Sequence, residues 1–366
     1  MKVKCNTEKL IIAISKIEKI TSKNSNLPIL SCILLEAKEN KLFIRATNLD
    51  LGIEITLLSE IEKEGRVAVS GNILKNLLAN ISSSDNIILE LKDKNLYIQT
   101  NNNNSTIKTQ PDDDFPSIPK IQGENKLSLD NKKFIKGMKS VWYAASTSSI
   151  KPELSSVCIN IEDNNLFFVA TDSFRLAEAK FHIENIENIE NILIPFKNIP
   201  EILRVFEDID GNIEMEFNKN QIAIKYGSIY LTSRIIEGVF PDYKQLIPKD
   251  FITESVILMN DFVRVFKITN IFSDKFNTVN FNIDMKNKKF EVYSKSDEVG
   301  ENKHQVSAVL SGDDLNINFN TKYITDCFQS INTDSIMLQF GGLNKPMVIR
   351  GVSDNQFTYL VMPMNK

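Results

Sequence analysis

Residues 127–141 read Leu-Ser-Leu-Asp-Asn-Lys-Lys-Phe-Ile-Lys-Gly-Met-Lys-Ser-Val, and this stretch decides the fold. Leu127 and Leu129 alternate with polar residues, the period of a strand with one buried face. Asp130 suits a helix N-cap, and Phe134, Met138 and Val141 follow it at cap +4, +8 and +11, which is one face of a helix. The same spacing recurs after Asn6 (Leu10, Ile14, Ile17), Ser70 (Leu74, Leu78, Ile81), Asn198 (Ile202, Phe206, Ile209) and Asn320 (Ile324, Phe328, Ile331). After Asn260 the pattern keeps Ile268 and Ile271 but has Arg264 at +4, so a cap one residue earlier would put Val263 there.

A second signal repeats independently. Two alternating segments flank a polar, Asn-containing turn around Asn40, Asn95, Asn164, Asn220, Asn287 and Asn344, and each reads as a β-hairpin. Intervals between these asparagines alternate short and long, so the units come in pairs, and every second copy returns after about 124 residues. Over 366 residues this predicts an α+β chain of three tandem domains, 1–123, 124–249 and 250–366, each of two helix-plus-sheet units. The polar segments near Gly123 and from Pro248 to Phe251 mark the boundaries.

Composition bounds the function. With 42% hydrophobic and 25% charged residues the chain is neither disordered nor membranous, and no apolar run reaches the roughly 18 residues a bilayer requires, so a cytoplasmic location is expected. Cys5, Cys32, Cys158 and Cys327 stand far apart and predict buried, reduced thiols. The net charge of −4 hides a division: the six helix windows sum to +6, leaving −10 for the rest. Either the helices are merely solvated or they face a polyanion. Lys132, Lys133, Lys136 and Lys139 lie off the apolar face of their helix, placed to meet phosphates without reading bases. No alternation of aromatic and basic residues favours single strands, so duplex is the expected polyanion.

Signals for catalysis are absent. His182 and His304 have neither metal-ligand spacing nor a nucleophile partner, and no phosphate-cradling glycine loop occurs. Asp112, Asp113 and Asp114 form one carboxylate cluster, but Pro111, Phe115 and Pro116 make it read as an extended connection rather than a metal site. No metal, cofactor or catalytic residue is expected. A metal-dependent nuclease using that cluster and a repeat-built protein scaffold are the alternatives.

Three segments, FVATDSFRLAEA at 168–179, SRIIEGVFPDYKQLIP at 233–248 and LVMPMNK at 360–366, strongly resemble the β sliding clamp of bacterial DNA polymerase III. LPIL at 27–30 and PDDDFPSIP at 111–119 extend the resemblance over the whole chain. It implies a head-to-tail homodimer, a six-domain ring lined by helices around double-stranded DNA, which confers processivity on the polymerase without catalysis of its own. Implied partners are the polymerase catalytic subunit, the clamp loader, and other DNA polymerases, mismatch-repair and ligase proteins carrying short Gln-Leu-x-Leu-Phe-like peptides.

By motif match, the resemblance assigns a partner-peptide cleft to Leu154, Thr171, Arg175, Leu176, Pro241, Leu246, Asn320, Tyr323, Leu360, Val361, Met362, Pro363 and Met364. It adds Lys23, Asn24, Lys151 and Lys197 to the DNA-facing residues. This chain departs from the family pattern at Ser173-Phe174, where Gly-His is usual, at Gln245, commonly basic, and at Asn365-Lys366, where Arg-Leu is usual.

Overall fold

A computed structural model describes residues 1–21, 27–82, 86–121, 125–184 and 188–364. Six α-helices occur among them: α1 (Thr7–Ile17), α2 (Gly71–Leu78), α3 (Asn131–Val141), α4 (Ile199–Phe206), α5 (Met259–Thr269) and α6 (Thr321–Asp326). All six predicted helices therefore form, and each is short. Propensity alone would not hold helices of this length in water, so their stability comes from burying the apolar face. In α1 that face is Leu10, Ala13, Ile14 and Ile17, each at most 2% exposed.

The caps differ in how they work. Asn6 accepts from the N–H of Lys9 at 2.9 Å, and Asn320 accepts from the N–H groups of Lys322 and Tyr323. Ser70 precedes α2 without a side-chain capping bond. Asn198 sends its amide to Ser233 Oγ at 3.0 Å instead of capping α4. The expectation at Asn260 is corrected: α5 starts at Met259 after the cap residue Leu258, and it buries Phe262, Val265, Phe266 and Thr269. Ile271 is 62% exposed. Aromatic packing sets this phase, since the Phe262 ring lies 4.8 Å from Phe266 and 5.7 Å from Phe328. Ile81 and Ile209 are only half-buried because α2 and α4 end before them.

All six hairpins form as well. Cys32–Lys38 pairs with Lys41–Thr47 through Glu39-Asn40, and Ser156–Glu162 pairs with Asn165–Thr171 through Asp163-Asn164. Both residues of each turn have positive φ, which matches the twist of the flanking strands. In the second hairpin Asp93 and Lys94 make the turn, and Asn95 begins the next strand.

The chain divides into two compact units, Met1–Ile135 with Lys197–Ile235, and Lys136–Phe196 with Ile236–Lys366. The first holds a thirteen-stranded antiparallel sheet running from Asn125–Asp130 to Glu60–Lys63. Its seam pairs Leu51–Leu58 with Ile229–Arg234, placing Leu231 opposite Ile53. The second unit holds a nine-stranded sheet, Ile189–Pro195 to Ala308–Gly312, and a four-stranded sheet, Gly300–Val306 to Leu315–Asn320. Here the seam pairs Arg175–His182 with Phe357–Val361. A loop of one design precedes each seam: Thr47 Oγ1 donates to Leu51 O, Thr171 Oγ1 donates to Arg175 O, both at 2.7 Å, and Leu49 and Ser173 share a φ of 77°.

All four cysteines are buried and free, in accord with the sequence reading. Burial pushes the Cys5 and Cys158 thiols up to about 12, so neither is a thiolate at neutral pH. Among the described residues no helix is long and apolar enough to cross a membrane.

Candidate functional site

Every residue assigned to the cleft lies in the second unit. Strand alternation and pairing bring several together: Leu176 sits opposite Leu360, and Arg175 opposite Val361. Leu176 and Leu360 join an apolar cluster with Phe167, Phe240, Tyr243 and Val348, against which Ile236, Ile247 and Phe251 pack. Pro241 lies between Phe240 and Tyr243 in the chain and is itself exposed. Tyr243 donates its hydroxyl to Glu178 Oε2 at 2.7 Å, and burial followed by the Glu178 charge pushes its ionisation far upward. The phenol therefore stays neutral and fixes the segment that carries Pro241 and Leu246.

The chain beyond the seam is tied down by its backbone. Met362 donates its N–H to Phe174 O and Met364 donates to Asn318 O, both at 2.8 Å. Arg175 spends its donors locally, on Asp172 Oδ2 at 3.1 Å, on Asp326 and on Tyr143 O at 2.7 Å. Burial opposes its charge, yet Tyr359, Asp326 and Asp172 outweigh that and raise its pKa above the usual arginine range. Its guanidinium lies 4.6 Å from the centroid of the Tyr323 ring.

The thirteen residues fall into layers. Leu154, Thr171, Leu176, Leu360 and Val361 are buried, so they form floor or core. Arg175, Asn320, Tyr323, Pro363 and Met364 are half-buried. Leu246 and Met362 are 56% and 39% exposed. Asn320 uses its oxygen to cap α6 and its nitrogen on Phe276 O at 3.1 Å, leaving little for a ligand. Leu154 exchanges backbone hydrogen bonds with Ser146 and Lys151. Phe174, read in the sequence as a departure from the family pattern but not assigned to the cleft, is 59% exposed beside Tyr323.

The basic residues are less free than their pattern implies. Lys132 pairs with Asp210 at 2.9 Å, and Lys197 with Asp50 at 2.6 Å. The Asp210 hydrogen bond raises the Lys132 pKa, so its charge persists. Lys136 donates to Gln356 Oε1 at 2.9 Å. Lys139 and Lys151 are exposed and Lys133 is half-buried. Lys23, Asn24, Gly123, Asn365 and Lys366 lie outside the described residues.

Of the carboxylate cluster, Asp112 and Asp113 both pair with the guanidinium of Arg66. They act as ion-pair partners within the first unit. Among the described residues, no three His, Cys, Asp or Glu side chains gather as a metal set.

Comparison with known proteins places this architecture. The fold matches the DNA polymerase III beta subunit of Thermotoga maritima with a TM-score of 0.93 at 28% identity, covering 100% of this chain and 99% of that one. The DNA polymerase sliding clamp of Bacillus subtilis matches with a TM-score of 0.92 at 22% identity, covering 100% of this chain and 99% of that one. The chain thus has the three-domain sliding-clamp fold. The beta sliding clamp of Staphylococcus epidermidis is 27% identical over 355 residues, 94% of each chain. Models of the N-terminal, central and C-terminal domains of the DNA polymerase III beta subunit match residues 1–119, 128–242 and 244–365, and the chain belongs to that family. It is a sliding clamp for replication processivity, a subunit without catalysis of its own, which sets aside the nuclease alternative.

Proposed function

We propose that two copies of this chain close head to tail into a six-domain ring around duplex DNA in the cytoplasm, with helices inward and sheets outward. The domains divide at 1–123, 124–249 and 250–366. The observation that carries this reading is α3, which buries Phe134 and Met138 completely while Lys132, Lys136 and Lys139 stay exposed, in a chain whose remainder is acidic. Because Lys132 and Lys197 already hold carboxylates, their grip on phosphate is weak and exchangeable. Weak, sequence-blind contact suits a tether that must slide, and ring closure supplies the retention.

Head-to-tail assembly is supported by strand Gly300–Val306, which stands at the edge of its sheet with one side unpaired among the described residues. The turn Asn270–Phe272 packs against it, and Ile271 and Val299 are 62% and 59% exposed. An open edge flanked by exposed apolar residues is a ready pairing site for another chain. Polymerase, clamp-loader and repair peptides of the Gln-Leu-x-Leu-Phe type would occupy the cleft floored by Leu176 and Leu360, where the flexible thioethers of Met362 and Met364 accommodate different partners.

After loading, the clamp is expected to remain on circular DNA and to run off linear DNA, measured by gel filtration of the complexes. Equal loss from both would contradict topological tethering. Crosslinking of DNA through Lys136 or Lys139 separates the clamp from a scaffold that never encloses DNA.

A further inference from the structure

At the position where the resembling family has histidine, this chain presents Phe174 on a braced turn. The Phe174 N–H donates to Asp172 Oδ1 at 2.9 Å, the Arg175 N–H to the same oxygen at 3.0 Å, and the Ser173 N–H to Thr171 Oγ1 at 3.2 Å. The Phe174 carbonyl accepts from Met362. Its ring, 59% exposed, stacks on Tyr323 with centroids 6.5 Å apart and planes inclined by 22°. Tyr323 is fixed in turn, its N–H bound by Asn320 Oδ1 and its carbonyl by the Tyr359 hydroxyl at 2.8 Å. Two aromatic rings are thus held nearly parallel at the rim of the cleft, one of them largely open to solvent.

Charge around this platform is already spent. The Arg175 donors go to Asp172, Asp326 and Tyr143 O; elsewhere among the cleft segments, Gln245 stands where the family is commonly basic, adds no charge, and donates to Asp242 Oδ2 at 2.6 Å. What the rim offers a ligand is therefore flat apolar surface, pre-organised so that little entropy is lost on contact.

We propose that Phe174 and Tyr323 form an aromatic subsite that makes this cleft select partner peptides carrying an aromatic side chain at the end away from the apolar Leu-Phe pair. The proposal rests on the partner-cleft reading and deepens it. The platform adds stacking to the apolar burial supplied by Leu176 and Leu360, and it does so without a formal charge.

Two peptides test it, one of the Gln-Leu-x-Leu-Phe type and one with tyrosine in place of that glutamine, titrated by calorimetry into the full chain and its Phe174→Leu and Phe174→Trp variants. The tyrosine peptide is expected to bind the unaltered chain about three- to tenfold more tightly than the glutamine peptide. That preference should vanish in Phe174→Leu, which keeps an apolar side chain, and persist in Phe174→Trp. No preference in the unaltered chain, or a preference that survives Phe174→Leu, overturns the subsite while leaving the cleft in place. Failure of both peptides to bind the unaltered chain brings down the cleft reading and the subsite with it. Unchanged thermal unfolding of the variants shows that the fold is intact.

Discussion

Gly137 shows how tightly single residues are specified. It sits inside α3, where glycine costs about 1 kcal/mol relative to alanine, yet a Cβ there would run into the ring of Phe168. Phe168 is fully buried and edge-on to Phe181, so it cannot swing away. Gly137→Ala is therefore expected to destabilise by about 1–3 kcal/mol despite its better helix propensity, read as a lowered urea midpoint. An unchanged or raised midpoint would mean that the ring gives way. Nothing in the sequence betrays this contact, because helix and strand are thirty residues apart and only the folded packing joins them. The stacking of Phe174 on Tyr323 is hidden for the same reason, whereas the departure of Phe174 from the family pattern was readable.

For elements, the sequence speaks most clearly where the cause is local. Caps at Asn6 and Asn320 and turns such as Glu39-Asn40 follow from side chains within a few residues, so the starts of α1 and α6 and the hairpins were legible on that basis. Legibility failed at Asn260, since α5 takes its phase from Phe262, Phe266 and Phe328, contacts that a spacing rule cannot weigh. Asn6→Ala should cost about 1 kcal/mol because it orphans the Lys9 N–H, while Ser70→Ala, with no capping bond to lose, should cost only a few tenths. Paired chemical denaturation curves check both; equal losses would show that cap geometry does not govern these helices.

On the scale of the whole molecule, internal repetition made three domains readable, and the split of charge between helices and remainder is what put the helices forward as the expected DNA-facing surface. The proposed cleft could be expected only through resemblance, because its assigned residues come from far-separated segments. Its outer lip can be removed without cutting either seam. Deleting residues 362–366 takes away Met362 and the Met364 bond to Asn318 but leaves the Arg175–Val361 pairing. This truncation is expected to weaken peptide binding by at least tenfold while the mass of the assembly in solution is unchanged. Unaltered affinity would relocate the peptide site.

Strand Phe357–Val361 lies in the interior of its sheet, held on one side by Arg175–His182 and on the other by Met347–Gly351. During synthesis Arg175–His182 leaves the ribosome long before that neighbour exists, so one flank of the growing sheet stays open. That flank is a row of unsatisfied backbone groups beside apolar residues, the kind of surface that chaperones shield and that neighbouring nascent chains can capture. Late arrival of a central strand thus leaves each unit with an open flank while it is being made, since Leu51–Leu58 waits in the same way for Ile229–Arg234.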